Sequence, residues 1–480
     1  MTLKFENCYA KLGDRFSVAM GPDPLSNPKA VITNAALLKS LRLDNYSHDD
    51  LLGLFSGHQI PKSASPLAMV YAGHQFGGYS PQLGDGRGVL IGQVRDTENK
   101  LIDLHLKGAG KTPFSRMGDG RAVLRSCIRE FLASEALFHL GIPTTRALAI
   151  TTGDEQVRRE TIENASLLMR ASDSHIRFGS FEYFSYTDQH TELKQLCDYT
   201  IETHFPKLKN SDKPYDALLF AASEKTGNLI AHWQAFGFAH GVMNTDNMSI
   251  IGQTFDYGPY GFMENYDPYY ICNHSDDQGR YAFNRQPEMG RWNCQALSQA
   301  LAPLTSPDVL EKALNCYEET FLSCYHGLMT KKLGFSTSKP EDKALYEDLL
   351  DLLEGYGIDY TIFFRSLSQY CAGKDFHSLL SNQNSAVSFA PWFDRYNKRL
   401  QMDILSETDR HKQMCSTNPK FILRNYLAQK AIQNSEAGDH SELHRLYDIL
   451  KSPYNEQLDQ EQYAQETPDW GQNLQISCSS

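Results

Sequence analysis

The chain of 480 residues lacks any run of about 18 consecutive apolar residues, so no segment of it reads as a transmembrane helix. Its first residues, MTLKFENCYAKLGDRF, have no apolar h-region and are not rich in Arg and Ser, so neither a secretory signal nor a transit peptide is expected. There is no CxxC pair among the ten cysteines, which are Cys8, Cys127, Cys197, Cys272, Cys294, Cys316, Cys324, Cys371, Cys415 and Cys478. That excludes a zinc module and a disulfide framework, and fits the reducing cytoplasm. Most of these thiols are expected in the core, with Cys478 exposed near the end of ISCSS. Positive charge is scarce: 46 Lys and Arg against 58 Asp and Glu leave a net charge of −12. Such a field repels nucleic acid and anionic membranes, and leaves room only for a local basic cluster around a small phosphate ligand. No internal repeat and no long low-complexity segment is present.

What is there reads as an ordinary globular protein, 41% hydrophobic and 22% charged, long enough for two or three domains. Residues 1–75 mix turn clusters with a short helical pattern, and are expected to form an extension that packs on the rest. Residues 76–172 read as strand-rich with one helix. GVLIGQV and LIDLHLKG form a hairpin across the polar RDTENK. RAVLRSCIREFLASEALFHL has helical spacing and stops at Gly141, with Pro143 beyond. TTRALAI and ASLLMRA then add two strands, giving the order β-β-α-β-β. Residues 173–450 read as mainly helical, with MSII and QTFD as two short strands turning at Gly252-Gln253. Residues 451–480 form a polar tail.

The chemistry gathers at a few points. LGDGRGVLIG carries Gly84, Gly86, Gly88 and Gly92 in a loop feeding a strand, where backbone N–H groups can approach phosphates without a Cβ in the way. Alone it reads equally well as a tight turn. Lys107 ends the next strand, and the alternation with Leu104 and Leu106 puts it on one face with His105. Glycine loop, hairpin and strand lysine together form the ATP-phosphate arrangement of protein kinases. A kinase helix then supplies a glutamate to that lysine. Glu130 and Glu135 compete for this role, and Glu130 is nearer the helix start. The alternative is an exposed helical carboxylate.

HGVMNTDNMSIIGQTFDYGPYGF has the rhythm of a kinase catalytic loop followed by Asp-x-Gly, but Val242 stands where the catalytic Asp belongs. Asn247 and Asp256 fall at the two metal-ligand positions, and their hard oxygens suit Mg²⁺ or Mn²⁺. Asp246 is the nearest replacement carboxylate. A second Gly-Asp-Gly, around Asp119 and Gly120, precedes the helix. There Asp119 is either an N-cap or part of an anion site. Arg170 and Arg177 lie where a kinase lines its adenine pocket, which raises the question of whether the nucleotide binds the other way round.

The strings YAGHQFGGYSPQLGDGRG, HLKGAGKTPFSRMGDGRAVLRS, GIPTTRALAI, HGVMNTDNMSI, DYGPYGF and the terminal CSS strongly resemble the selenoprotein O (SelO/YdiU) family of pseudokinase-like protein adenylyltransferases. The resemblance implies an α+β, kinase-like two-lobed fold: a small strand-rich N-lobe with one helix, a larger helical C-lobe, and extensions at both ends. It implies ATP bound flipped, its γ-phosphate buried and its α-phosphate toward the metals and the acceptor. Lys107, Asp119, Gly120, Arg170 and Arg177 would hold the buried phosphates. Gly84, Gly86 and Arg87 would form the nucleotide loop. Asn247 and Asp256 would bind Mg²⁺ or Mn²⁺, and Asp246 would be the base. The implied reaction moves AMP from ATP, or UMP from UTP, to Ser, Thr or Tyr of protein substrates, redox proteins among them, by a monomeric enzyme. Cys478 stands where many members carry selenocysteine, matching the cysteine-containing bacterial type. A regulatory disulfide between Cys272 and Cys478 is a further expectation. The alternatives are an authentic ATP phosphotransferase, a non-catalytic nucleotide-binding scaffold and, with least support, a redox enzyme built on Cys478.

Overall fold

The computed structural model describes residues 3–370, 383–472, 474 and 476. Its twelve strands are β1 (Ser17–Ala19), β2 (Lys29–Thr33), β3 (Leu67–Met69), β4 (Gly73–Gln75), β5 (Gly78–Ser80), β6 (Gly88–Arg95), β7 (Leu101–Lys107), β8 (Ala122–Val123), β9 (Arg146–Arg158), β10 (Ile162–Ser172), β11 (Phe238–Ala239) and β12 (Gly261–Phe262). The helices are α1 (Ala35–Ser40), α2 (His48–Phe55), α3 (Leu124–His139), α4 (Phe178–Tyr186), α5 (His190–His204), α6 (Pro214–Phe236), α7 (Gln286–Leu301), α8 (Val309–Lys332), α9 (Asp342–Tyr356), α10 (Tyr360–Leu367), α11 (Gln383–Gln401), α12 (Glu407–Thr417), α13 (Asn425–Glu436), α14 (Ser441–Leu450) and α15 (Asp469–Gln472).

The main sheet has eight strands in the order β1-β3-β6-β7-β10-β9-β2, with β8 added beside β10. The expected hairpin is β6–β7 and the expected late pair is β9–β10, with α3 between them in the chain. The segment expected as an extension supplies β1, β2 and β3, so it completes both edges of the sheet. The fold is therefore mixed, a strand-rich sheet followed by many helices.

Alternation along the central strands decides what each face carries. Leu104 and Leu106 of β7, with Leu167 and Met169 of β10, join one apolar cluster with α1 and α2. His105, Lys107, Leu168 and Arg170 therefore share the opposite face, the side covered by α3. Leu168 lies across from Lys107 and Arg170 across from His105, so Lys107 and Arg170 are diagonal neighbours. Helix α3 is buried along most of its length, between the sheet and α13 and α14.

One expected pair of strands is not there. MSII and QTFD make only isolated bridges, Ser249 to Arg177 and Thr254 to Thr144. The turn at Gly252 exists, at φ +68° with the backbone of Lys225 packed against it. The flanking residues bond outward, Ile250 N–H to Ile176 and Thr254 N–H to Pro143, instead of to each other. Among the described residues no helix is long and apolar enough to cross a membrane.

Lys332, in the last turn of α8, is 2% exposed, and among the described residues no carboxylate pairs with it. Its ammonium faces the rings of Phe364, Tyr360 and Phe236, with centroids at 4.3, 5.0 and 5.5 Å. Burial pushes its pKa down to about 7, whereas an unfolded lysine keeps its proton to about pH 10.4. Between those values the unfolded chain binds more protons, so this residue makes stability rise with pH across that window and adds no slope below it. Lys332→Met is expected to raise Tm at pH 7. The wild-type advantage gained from pH 7 to about 10 should disappear in the variant, as read by thermal denaturation of both proteins across that range.

Candidate functional site

A cavity of about 810 Å³ opens between the sheet and the loops that follow α6. It brings together Gly84, Gly86, Arg87, Lys107, Asp119, Gly120, Glu130, Arg170, Arg177, Asp246, Asn247 and Asp256. Every nucleotide, metal and base residue implied by the resemblance lies in its wall, as does the supporting Glu130, whereas Gly92 lies inside β6 against Phe5 and away from the wall. Cys272 is not in that wall.

At its floor runs a chain of alternating charges. Lys107 on β7 pairs with Glu130 on α3, and the other oxygen of Glu130 takes Arg170 on β10. Arg170 reaches on to Asp256 at 3.1 Å, and Asp256 accepts from Arg177 at 2.8 Å. Arg177 also donates to the backbone carbonyl of Asp246 at 2.8 Å. Its guanidinium lies between the rings of Tyr71 (4.2 Å) and Phe255 (4.7 Å). Burial alone would raise the pKa of Asp256, but Arg177, Arg170 and Lys107 outweigh it and hold the group well below the usual carboxylate range. Glu130 is held down in the same way by Arg170 and Lys107. Burial lowers Lys107 to about 8, against the pull of Glu130. Glu135 belongs elsewhere, bound to Arg146 and Asn34.

The glycine loop is clamped to the segment at 112–118. Thr112 Oγ1 donates to the carbonyl of Asp85 at 2.7 Å, and Ser115 Oγ to that of Gly86 at 2.5 Å. Gly84 adopts φ +67°, and a Cβ there would run into the ring of Phe114. Beneath the loop Asp85 accepts from Met69 N–H (3.0 Å) and contacts His105 Nε2 (3.2 Å). His105 stacks on His175, which in turn is held by Asp103. Asp119 is not the N-cap of α3, because β8 intervenes and Val123 holds that position. Instead it caps the N–H of Arg121 and pairs with Arg159 at 2.6 Å.

Asp246 is 7% exposed. Gln75 Nε2 donates to its Oδ2 at 3.2 Å, whereas Oδ1 is buried without a hydrogen bond. Desolvation raises its pKa to about 6, against the opposing pull of Arg177 and Gln75. Gly73 and Gly179 crowd it from both sides; a Cβ on Gly73 would sit 2.7 Å from Oδ1. Val242 is buried, and its carbonyl accepts from Asn247 Nδ2 at 3.0 Å. That bond leaves the Asn247 amide oxygen as the remaining acceptor.

The oxygens fit a hard divalent cation. Asp256 has about four lone-pair sites, of which the arginines take two, and Asn247 and Asp246 each keep an uncommitted oxygen. Among the described residues no group of three or more His, Cys, Asp or Glu could hold an ion by itself. An ion held at this place therefore draws further ligands from phosphate or water.

A family model described as "Protein adenylyltransferase SelO" matches residues 1–451. Proteins called "Protein nucleotidyltransferase YdiU" align over all of the chain and 99% of their own length. Identity is 49% for that of Pseudomonas fluorescens strain Pf0-1, 48% for strain SBW25 and 47% for that of Pseudomonas aeruginosa strain UCBPP-PA14. The chain belongs to the SelO family.

Several groups around the site escape a sequence reading. From the β4–β5 hairpin Gln75 bonds Asp246 and Phe76 N–H bonds Asn244; the only signal of the first two was the string YAGHQFGGYS, and Asn244 lies within HGVMNTDNMSI. Arg116, Arg121, Arg158 and Arg159 add positive charge to the cavity wall, from segments distant in the chain. Cys272 is buried, its thiol donating to the carbonyl of Ala239 at 3.4 Å. Cys478 lies outside the described residues. Nearby, His274 N–H donates to the carbonyl of Ile476 at 2.9 Å.

Glu130→Ala leaves two buried cations short of a counter-charge. It is expected to destabilise the fold by about 3–5 kcal/mol in urea denaturation. A loss of under about 0.5 kcal/mol would restore the reading of Glu130 as a surface carboxylate.

Proposed function

We propose that this chain transfers the AMP moiety of ATP to Ser, Thr or Tyr hydroxyls of proteins, with release of pyrophosphate. UTP serves as a second donor, giving UMP transfer. The chain is a protein nucleotidyltransferase of the SelO family, and the names of its relatives support that reaction class. The reading of the site rests on one observation above the others. Asp246 lies in the same cavity wall as Val242, Asn247, Asp256, Arg170 and Arg177, which supports it as the replacement for the missing carboxylate.

In this reading the protein is kinase-like and two-lobed, with residues 76–172 as the smaller lobe and 173–450 as the larger. Residues 1–75 and 451–480 extend them. It acts as a monomer in the cytoplasm, in keeping with the cysteine pattern. The nucleotide enters with its γ-phosphate toward Lys107, Arg170 and Arg177, and its α-phosphate toward Asn247, Asp256 and Asp246. Gly84, Gly86 and Arg87 contact it from the glycine loop, and Asp119 and Gly120 from the adjoining turn. Asn247 and Asp256 would hold Mg²⁺ or Mn²⁺, which when bound neutralises phosphate charge. The acceptor oxygen attacks the α-phosphorus. Asp246 takes the hydroxyl proton, and the bond to the β-phosphate oxygen breaks. Lys107 and the two arginines stabilise the charge that develops on the leaving pyrophosphate. A phosphotransferase with ATP in the usual orientation would have to use Asp246 as a displaced base, and the buried pair Arg170 and Arg177 together with Val242 speaks against it. A scaffold has no chemical need for Asn247, Asp256 and a buried Asp246 together.

The deciding experiment supplies ATP labelled on either the α- or the γ-phosphate. Label from the α-phosphate alone is expected on protein. Asp256→Ala should abolish both metal-dependent nucleotide binding and transfer. Asp246→Ala should keep most nucleotide binding and lower transfer by about 10²–10⁴-fold. Label from the γ-phosphate alone would make the protein a kinase. Equal loss of binding and transfer in Asp246→Ala would make that residue structural or a metal ligand.

Cys272 and Cys478 are proposed to form a regulatory disulfide. The hydrogen bond from His274 to Ile476 supports it, since these residues are each two positions from one of the cysteines. After treatment with oxidised glutathione, non-reducing peptide mass spectrometry is expected to find the 272–478 crosslink. Finding both thiols uncrosslinked would remove the proposal.

A further inference from the structure

Strands β4 and β5 form a hairpin in which Gln75 lies opposite Gly78, leaving Phe76 and Gly77 as its two turn residues. Both have positive φ, +50° and +86°. This is the type I′ pattern, which favours Asn, Asp or Gly at both positions. A phenylalanine in that conformation is strained, because its Cβ crowds the backbone. The turn is nevertheless held in place. Phe76 N–H donates to Asn244 Oδ1 and Tyr281 Oη, both at 3.1 Å, and the ring leans on Tyr281 at 5.2 Å. Strain that the surrounding structure over-determines marks a place where the side chain itself is needed.

The ring lies in the wall of the cavity that holds Asp246 and the phosphate-directed cations. Among the described residues five rings line that cavity: Tyr71, Phe76, Phe114, Tyr257 and His105, the last of which is buried and stacked on His175. Of the other four, three are committed. Tyr71 lies against Arg177, Phe114 fills the space above Gly84, and Tyr257 is buried in hydrogen bonds with Thr144, Thr145 and the carbonyl of Thr254. These three are at most 8% exposed, whereas Phe76 is 45% exposed. It is the cavity ring with a face to offer a planar ligand.

We propose that Phe76 is the stacking platform for the base of the bound nucleoside triphosphate. This rests on the reading of the cavity as a nucleoside triphosphate site. Stacking is tolerant of base identity, because every base has a π-face. A platform of this kind serves adenine and uracil alike and makes no hydrogen-bonded choice between them.

The test uses equilibrium binding, with Mg²⁺, of a non-hydrolysable α,β-methylene ATP analogue and of inorganic tripolyphosphate, which has no base. Asn suits the turn conformation better than Phe, so Phe76→Asn is expected to keep or raise Tm. It should weaken the ATP analogue by about 10-fold or more and leave tripolyphosphate unchanged. Phe76→Tyr should retain wild-type affinity for both. Unchanged affinity for the ATP analogue in both Phe76→Asn and Phe76→Ala overturns the inference alone. So does an equal loss for both ligands, which would make the turn a support for the phosphate site. Failure of the wild type to bind the ATP analogue overturns the nucleotide reading, and this inference with it.

Discussion

The alternating chain Lys107–Glu130–Arg170–Asp256–Arg177 is the constraint on which the rest of the molecule depends. Its members come from β7, α3, β10, the turn before β12 and the N-cap of α4. Lys107, Glu130, Arg170 and Arg177 are buried and Asp256 is partly so, so each needs its neighbours. Five separate pieces of backbone are thereby forced to converge within a few ångströms. The odd number of members leaves one positive charge in excess. The carboxylates hold the cations apart and fixed in place, so in the proposed reading little reorganisation is required on phosphate binding.

The loops around the cavity are stiffened from behind. Thr112, Ser115 and Phe114 tie the glycine loop to the following segment, and the Asp85–His105 contact supports it from the sheet. On the other side the β4–β5 hairpin reaches over residues 244–246, where Gln75 bonds to Asp246 and Phe76 to Asn244. Asp256 itself has a positive φ, +59°. Strain at Phe76 and Asp256 sits at the two places where the cavity wall meets the proposed chemistry, and the surrounding hydrogen bonds and ion pairs hold both residues there.

Local pattern carried much of this. The hairpin of β6 and β7, helix α3 and the β9–β10 pair follow from periodicity and turn chemistry, because their registers are short-range. Period-2 alternation placed His105 and Lys107 on one face before any partner was known. MSII and QTFD misled for a physical reason. Short apolar runs on either side of a glycine turn resemble a hairpin, but their backbone groups bond to 143 and 176 instead, and those contacts have no local trace. Of the two readings of Asp119, the cap fails on a similar ground. A Gly-Asp-Gly before a helix reads as a cap, yet two residues of strand come between, and a distant arginine claims the carboxylate.

The sequence by itself determined the residue types of the site, the loss of a base at Val242, and the order in which the elements arrive. These are covalent and local facts, readable along a line. Only the tertiary structure decided which glutamate serves Lys107, since Glu130 and Glu135 are separated by a rotation of the same helix that no spacing rule resolves. Tertiary structure also decided that Asp246 sits nearly dry between two glycines, and that residues 17–33 close both edges of the sheet. It alone turned Phe76 from a hydrophobic residue in a glycine-rich string into an exposed ring at the cavity wall. Burial, ion pairing and strain are properties of what surrounds a residue, and those surroundings come from segments hundreds of positions away.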